Sequence, residues 1–306
     1  MPELPEVETV VRGLRRTIVG RSIISVSLKK TDFIDDPASL EKYLPGQKIV
    51  SVERYGKFML LRFSATSTAP NRESTALLVH LGMTGHIASY DTGNSWEKHT
   101  HVGMLLDDGR ELRYTDARRF GRMAYLAGET LDRELARFGV DPLEMSKTEF
   151  AQRIRSRNAR IKSLLLDQRV LRGVGNIYAD ESLWKAKIHP ARLGSRLALA
   201  QACALHRCLQ QILRRAIVFR GSTISNFADT EGSAGEYQLH HQVYGREGQP
   251  CHRCRKTIRR AIVAGRSSFF CPGCQGMVKG THVVIPKNPG KKKRTKLPKD
   301  RKNTKP

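Results

Sequence analysis

The stretch CHRCRKTIRRAIVAGRSSFFCPGC, from Cys251 to Cys274, decides how the last part of the chain folds. It sets Cys251-x2-Cys254 against Cys271-x2-Cys274, with sixteen residues between the pairs. Two CxxC pairs at that separation bring four sulfurs to one tetrahedral zinc. All four ligands are sulfur and no coordination position stays open, so a single structural Zn2+ is expected rather than a catalytic one. The segments IRRAIVAG and RSSFF between the pairs read as a hairpin. So small a module buries little apolar surface, and the metal would supply most of its folding free energy. Cys203 and Cys208 lie on a helical stretch and read as core or surface cysteines.

The charge around this module is strongly positive. The 306 residues hold 54 Lys and Arg against 29 Asp and Glu, a net of +25. The tail 286–306, with GKKKRTKLPKDRKNTKP, is rich in Lys and Pro and reads as disordered, either a solubilising segment or a DNA tether. The excess is not confined to the tail. Residues 251–285 contain seven Lys and Arg and no acidic residue. A field of this sign attracts polyanions, nucleic acid first. No apolar run approaches the ~20 residues needed to cross a bilayer. The start, MPELPEVETV, lacks a basic region followed by an apolar one, so an intracellular, cytoplasmic protein is expected.

Upstream, the first segment reads as a helix. Val7, Val10, Val11, Leu14 and Ile18 share one face. Pro5 suits the first turn, Glu6 and Glu8 the positive dipole end, and Gly20 the exit. Strand signals follow at 22–28, 48–54, 57–63, 76–81, 101–107, 110–115 and 122–127, with Asp108-Gly109 as a hairpin turn. About seven strands suggest a β-sandwich. Beyond Gly128, helical periods appear at 131–137, 147–155, 161–170, 176–187 and 197–219. GSTISNFADTEGSAGEYQ, from Gly221, has the composition of a mobile loop. A β-rich half and a helical half would leave a cleft between them.

Six blocks now align with a known pattern: MPELPEVE at Met1, YGKFMLL at Tyr55, HLGMTG at His80, DARRFG at Asp116, GVGNIYADE at Gly173, and the cysteine module. In that order, from Met1 to about Gln275, the chain resembles the formamidopyrimidine-DNA glycosylase family. The resemblance implies a multidomain α+β fold. An N-terminal helix and β-sandwich fill 1–130, and a linker with a short helix fills 131–148. A helix-two-turns-helix domain spans 149–245, a zinc-finger hairpin 246–285, and the tail follows. The chain departs from the family in that tail, since family chains usually end soon after the last cysteine pair.

The amino terminus supplies the chemistry. Removal of Met1 exposes the secondary amine of Pro2. An α-amine titrates near ~8, so part of it is nucleophilic at neutral pH. Attack on C1′ of a nucleotide displaces the base and leaves an iminium ion with no N–H proton to lose. That cation is an electron sink for the neighbouring C2′–H, and β-elimination can follow. The resemblance gives Glu3 the acid and base role at the sugar ring oxygen, with Glu6 as a supporting carboxylate placed among the DNA-binding residues. It puts Lys57 at a phosphate beside the lesion, assisting β-elimination. It puts Arg266 of the finger hairpin on the lesion phosphates as proton donor in δ-elimination.

A base within a stack must be extruded and its gap filled. Met83, Arg118 and Phe120 match the family's filling residues, although Met83 and Phe120 alone would read as core. Asn176 opens a helix after Gly173-Val174-Gly175, where backbone amides favour a phosphate. His80, His99, Arg157 and Lys162 match DNA-contacting positions, and His99 with His101 also reads as a strand pair. Ser222 is the candidate contact to the damaged base, with backbone amides near Ile224 to Phe227. His240 and His241 stay unassigned.

The expected activity is excision of oxidised purines (8-oxoguanine and formamidopyrimidines) from double-stranded DNA, with lyase cleavage at abasic sites by β,δ-elimination, by a monomer. Two rivals stand: an endonuclease VIII-type enzyme for oxidised pyrimidines, which Leu4 and the long loop disfavour, and a non-catalytic zinc-containing DNA-binding protein, which Pro2-Glu3 and Lys57 disfavour.

Overall fold

The computed structural model describes residues 1–64, 74–224 and 227–276. The tail expected over 286–306, the end of the finger region from 277 to 285, and Ser225 and Asn226 of the loop lie outside the described residues.

The first helix, α1 (Leu4–Ile18), shows how the two halves are joined. Its face Val7, Val10, Val11, Leu14 and Ile18 is buried in the core of the β domain. Each such side chain contributes about 1.5–3 kcal/mol on leaving water, which fixes the helix against that domain. Leu4, one turn earlier, belongs instead to the core of the helical domain. The chain therefore starts at the seam of two cores. Across the same seam Arg54 bonds Glu8 of α1 at 3.0 Å and Asp141 at 2.6 Å.

Two four-stranded antiparallel sheets make the β domain. One has the order β1 (Ile23–Leu28), β6 (Thr100–Leu106), β7 (Arg110–Asp116), β5 (Gly85–Asp91). The other runs β2 (Ile49–Tyr55), β3 (Phe58–Phe63), β4 (Thr75–His80), β8 (Arg122–Ala127). The sandwich thus has eight strands where seven were expected. β5 escaped because Ile87 is its lone large aliphatic residue, so its sequence shows little alternation. The short helix α2 (Pro37–Tyr43) also escaped, since Leu40 is the sole large apolar residue it buries.

The helical domain holds α3 (Gly128–Ala136), α4 (Lys147–Arg155), α5 (Ile161–Leu166), α6 (Asn176–Lys185) and α7 (Leu199–Val218). α5 stops four residues short of the expected Val170. Asp167 ends it, its carboxylate accepting the backbone N–H of Arg169 at 3.0 Å to form a turn. Two turns then lead through Gly173 and Gly175 into α6. Finally β9 (Arg259–Val263) and β10 (Arg266–Phe270) form a hairpin. Ala264 and Gly265, both at positive φ, make the tight connection that suits strand twist. The finger packs on α6 through Trp184, Val243, Cys251, Ile258 and Cys271. Among the described residues no helix is long and apolar enough to cross a membrane.

Candidate active site

One cavity of about 390 Å³ opens where these parts meet. Its walls bring together Pro2 and Glu3 before α1, Glu6 within it, Lys57 from the β2–β3 turn, Met83, Asn176 at the start of α6, Ser222 and Arg266. Residues from positions 2 to 266 reach one space because α1 starts at the domain seam and the finger hairpin folds back onto α6.

Glu3 lies across the amino-terminal end of α6. Its carboxylate accepts N–H groups of Ile177 at 3.1 Å and Tyr178 at 3.5 Å, donors that a helix start leaves free. Gly175 makes this possible: a Cβ there would lie 2.2 Å from the Glu3 carboxyl carbon. Gly173, at φ +96°, gives its carbonyl to Leu4 N–H at 3.0 Å. Burial raises the proton affinity of Glu3, against Lys57 and the two backbone donors. Glu6 accepts Glu3 N–H at 2.8 Å, Ser222 N–H at 2.6 Å and the Tyr178 hydroxyl. Burial, and then the neighbouring Glu3, push Glu6 up to about 7. Two acids side by side in a dry wall favour protonated forms near neutrality. Burial likewise lowers the Lys57 ammonium, with Glu3 and Glu6 opposing.

The opposite wall is set by an ion pair hidden from water. Lys162 lies 2.6 Å from Asp180, both fully buried. Lys162 Nζ also donates to the Ser267 carbonyl at 2.8 Å, and the Asn176 amide donates to the same oxygen at 3.0 Å. Asp180 accepts Phe269 N–H at 2.9 Å. These bonds hold the hairpin that carries Arg266 over the cavity.

The rim is built differently. Met83 is 43% exposed and Phe120 57%. The Arg118 guanidinium stacks 4.5 Å above the Phe120 ring. Their two loops touch at Gly82, where a Cβ would meet the Phe120 carbonyl at 2.4 Å. Buried Asp116 ties both loops, accepting Thr84 Oγ1 from one and Arg118 and Gly121 N–H from the other.

Several expected contacts need correction. Lys162 cannot reach DNA, because its ammonium is sealed inside the hairpin latch. Glu6 is no DNA contact either: it is 2% exposed and its oxygens serve the protein. His80 is stacked on Phe58 at 4.8 Å, accepts Gly82 N–H, and is held down at about 4 by burial. It shapes the Met83 turn as a neutral ring. His99, exposed at φ 71°, and Arg157, which bonds the Arg153 carbonyl, lie outside the cavity, so their expected contacts would fall on DNA beyond it. Nothing in the sequence singled out Tyr244, which looks like an ordinary core residue until folded, and Tyr178 and Asp180 were visible only as members of the quoted Gly173 block. Asp116 sits inside a quoted block and was legible only as part of it.

In the finger, the four cysteine sulfurs lie within 4.8 Å of one another. Cys251 and Cys274 are 3.9 Å apart and Cys254 and Cys271 3.3 Å, beyond any disulfide. A tetrahedron of ~2.3 Å Zn–S bonds has edges of about 3.8 Å, so the donor set fits zinc.

Comparison with known proteins agrees along the chain. Residues 1–123 match the family model "Formamidopyrimidine-DNA glycosylase N-terminal domain", 138–228 the "Formamidopyrimidine-DNA glycosylase H2TH domain", and 248–276 the "Zinc finger found in FPG and IleRS". A formamidopyrimidine-DNA glycosylase of Solibacter usitatus is 44% identical over 277 residues, covering 90% of this chain and 99% of the relative. Lactococcus lactis Fpg bound to DNA with an abasic site superposes at TM-score 0.81 and 34% identity, covering 90% of this chain and 100% of that one. A variant of the same enzyme bound to Fapy-dG-containing DNA also gives TM-score 0.81 at 34% identity, with the same coverage. Fold and site together define a DNA glycosylase of base excision repair. The chain belongs to the formamidopyrimidine-DNA glycosylase family, whose members combine glycosylase and abasic-site lyase activity.

Proposed function

We propose that this enzyme binds damaged double-stranded DNA as a monomer and excises oxidised purines through Pro2. The observation that carries this reading is the meeting of Pro2, Glu3, Lys57 and Arg266 in one cavity. The α-amine that Met1 brings there is already lowered in proton affinity by burial, against Glu3 and Glu6. With Met1 removed, the Pro2 nitrogen is the terminal amine of that environment and is nucleophilic near neutrality. Its lone pair forms the N–C1′ bond as the glycosidic bond breaks, and the base leaves with a proton. Glu3, whose proton affinity burial raises, donates to the sugar ring oxygen as the C1′–O4′ bond breaks and the nitrogen lone pair closes the iminium. The resulting iminium acidifies C2′–H, so the 3′ phosphate leaves by β-elimination, and Arg266 assists departure of the 5′ phosphate. Lys57 and Asn176 hold backbone phosphates, while Met83, Phe120 and Arg118 fill the duplex. The cysteines hold one structural zinc, which keeps the hairpin folded and takes no part in the reaction. A cytoplasmic site of action suits a chromosomal substrate.

Borohydride reduction on an abasic-site duplex tests the reading. A covalent adduct through the mature proline is expected. An enzyme that retains Met1 yet excises and nicks at full rate would falsify it. Excision of 8-oxoguanine should exceed that of thymine glycol; the reverse order would move the enzyme to the oxidised-pyrimidine branch.

A further inference from the structure

His241 has no part in the chemistry above, yet it touches its edge. It follows the turn Tyr237–His240 and is 7% exposed. Glu181 of α6 fixes the backbone after it, accepting N–H from Gln242, Val243 and Tyr244 at 2.9–3.0 Å. The ring packs edge-on to Tyr237 and Tyr244, and Tyr244 lines the cavity. Nε2 lies 3.1 Å from the Ser222 hydroxyl.

The direction of that hydrogen bond follows from its surroundings. The Tyr244 backbone beside the ring favours a proton on it, as an acceptor does, which sets the tautomer with its N–H on that side. Burial keeps the imidazole neutral, so its one N–H is used there and Nε2 is left as an acceptor. Ser222 must then be the donor. Its oxygen is 3.4 Å from the Tyr178 hydroxyl, whose own proton goes to Glu6. Ser222 meanwhile gives its backbone N–H to Glu6. The groups facing this cluster are Glu6 of α1, with Glu3, Lys57 and the terminal amine around it, Tyr178 and Glu181 of α6, and Tyr237, His240 and Tyr244 beside the ring.

We propose that His241 is a positioning residue for this active site: by accepting the Ser222 proton, it keeps that hydroxyl turned away from the Tyr178–Glu6 pair. Glu6 then has three donors and no fourth. Its charge state acts on Glu3 through the N–H it accepts, and on the terminal amine beside it. Without the imidazole, the Ser222 proton turns to the Tyr178 oxygen, which strengthens the Tyr178 donation to Glu6 and favours the carboxylate. This inference rests on the proposed proline chemistry.

The test is the pH profile of single-turnover base excision by full-length, zinc-loaded enzyme. In His241→Leu the limb set by Glu6 should move up to about one unit toward acid, the size of one whole hydrogen bond to a charged group. His241→Gln, whose amide oxygen still accepts from Ser222, should restore the wild-type profile. In a Ser222→Ala background, His241→Leu should cause no shift. Zinc content and melting temperature check that each variant folds. A wild-type profile in folded His241→Leu, or an equal shift without the Ser222 hydroxyl, overturns the assignment while wild-type activity stands. Wild-type enzyme that neither excises nor traps overturns the proline chemistry and this inference with it.

Discussion

The floor and the rim of the cavity are made on opposite terms. At the floor, charged groups are buried: Glu3 is 4% exposed, Glu6 2% and Lys57 8%. At the rim, apolar groups are exposed: Met83 and Phe120 stand in water beside Arg118. Both inversions cost stability, since buried charge loses hydration and exposed rings bury nothing. The floor invests that cost in proton affinity. The rim holds it as apolar surface that only a ligand can cover.

Four measurements probe this contrast. Glu3→Gln should remove the ring-oxygen acid and slow excision by about 10²–10⁴-fold. Lesion-duplex binding should stay near wild type, because the amide oxygen still accepts from Ile177; equal losses in binding and rate would place Glu3 in recognition instead. Lys162→Met should leave buried Asp180 without its cation, so that it must take up a proton or hold an uncompensated charge, costing up to about 3–5 kcal/mol in a urea or thermal melt. A melt equal to wild type would show that the latch is not held by charge.

Phe120→Ala should leave the melting temperature unchanged. It should weaken binding to a lesion duplex by about 1–3 kcal/mol, the range for one stacked ring, and leave single-strand binding alone. A destabilised protein would mean that the ring is core. The smallest effect concerns Glu6. Its folded value of about 7 lies above the ordinary 4.5, so the folded state holds the extra proton between them. Stability from this group is complete below about 4.5 and is lost as pH rises through 7, at up to about 1.4 kcal/mol per unit. Glu181, also raised to about 7 by burial, adds a like slope. Glu6→Gln should flatten the curve over that window, and an unchanged slope would remove Glu6 from the account.

Much of this was legible before folding. The spacing of Val7 to Ile18 gave α1, and the cysteine spacing gave the hairpin. The Pro2-Glu3 start and the Gly173 block were readable because their residue types serve close approach and capping. Burial was not legible. Lys162 looks like any basic residue in a basic protein, and nothing nearby in sequence announces Asp180 or the Ser267 carbonyl. Its partners are 18 and 105 positions away. Phe120 taken alone reads as core, and its block was needed to place it among the filling residues before its loop was seen to stand off the sheet. β5 was missed because one isoleucine cannot display a period of two.

The cavity draws each wall from a distant part of the chain: Glu3 meets Ile177, Glu6 meets Ser222, and Lys162 meets Ser267. During synthesis the amino terminus emerges first and waits for the rest. Until α6 and the finger are made, Glu3 lacks the Ile177 amide, Glu6 lacks Ser222, and the cavity has no Arg266 wall. A copy that stops short of the hairpin therefore leaves this cavity without one wall and Lys162 without the Ser267 carbonyl.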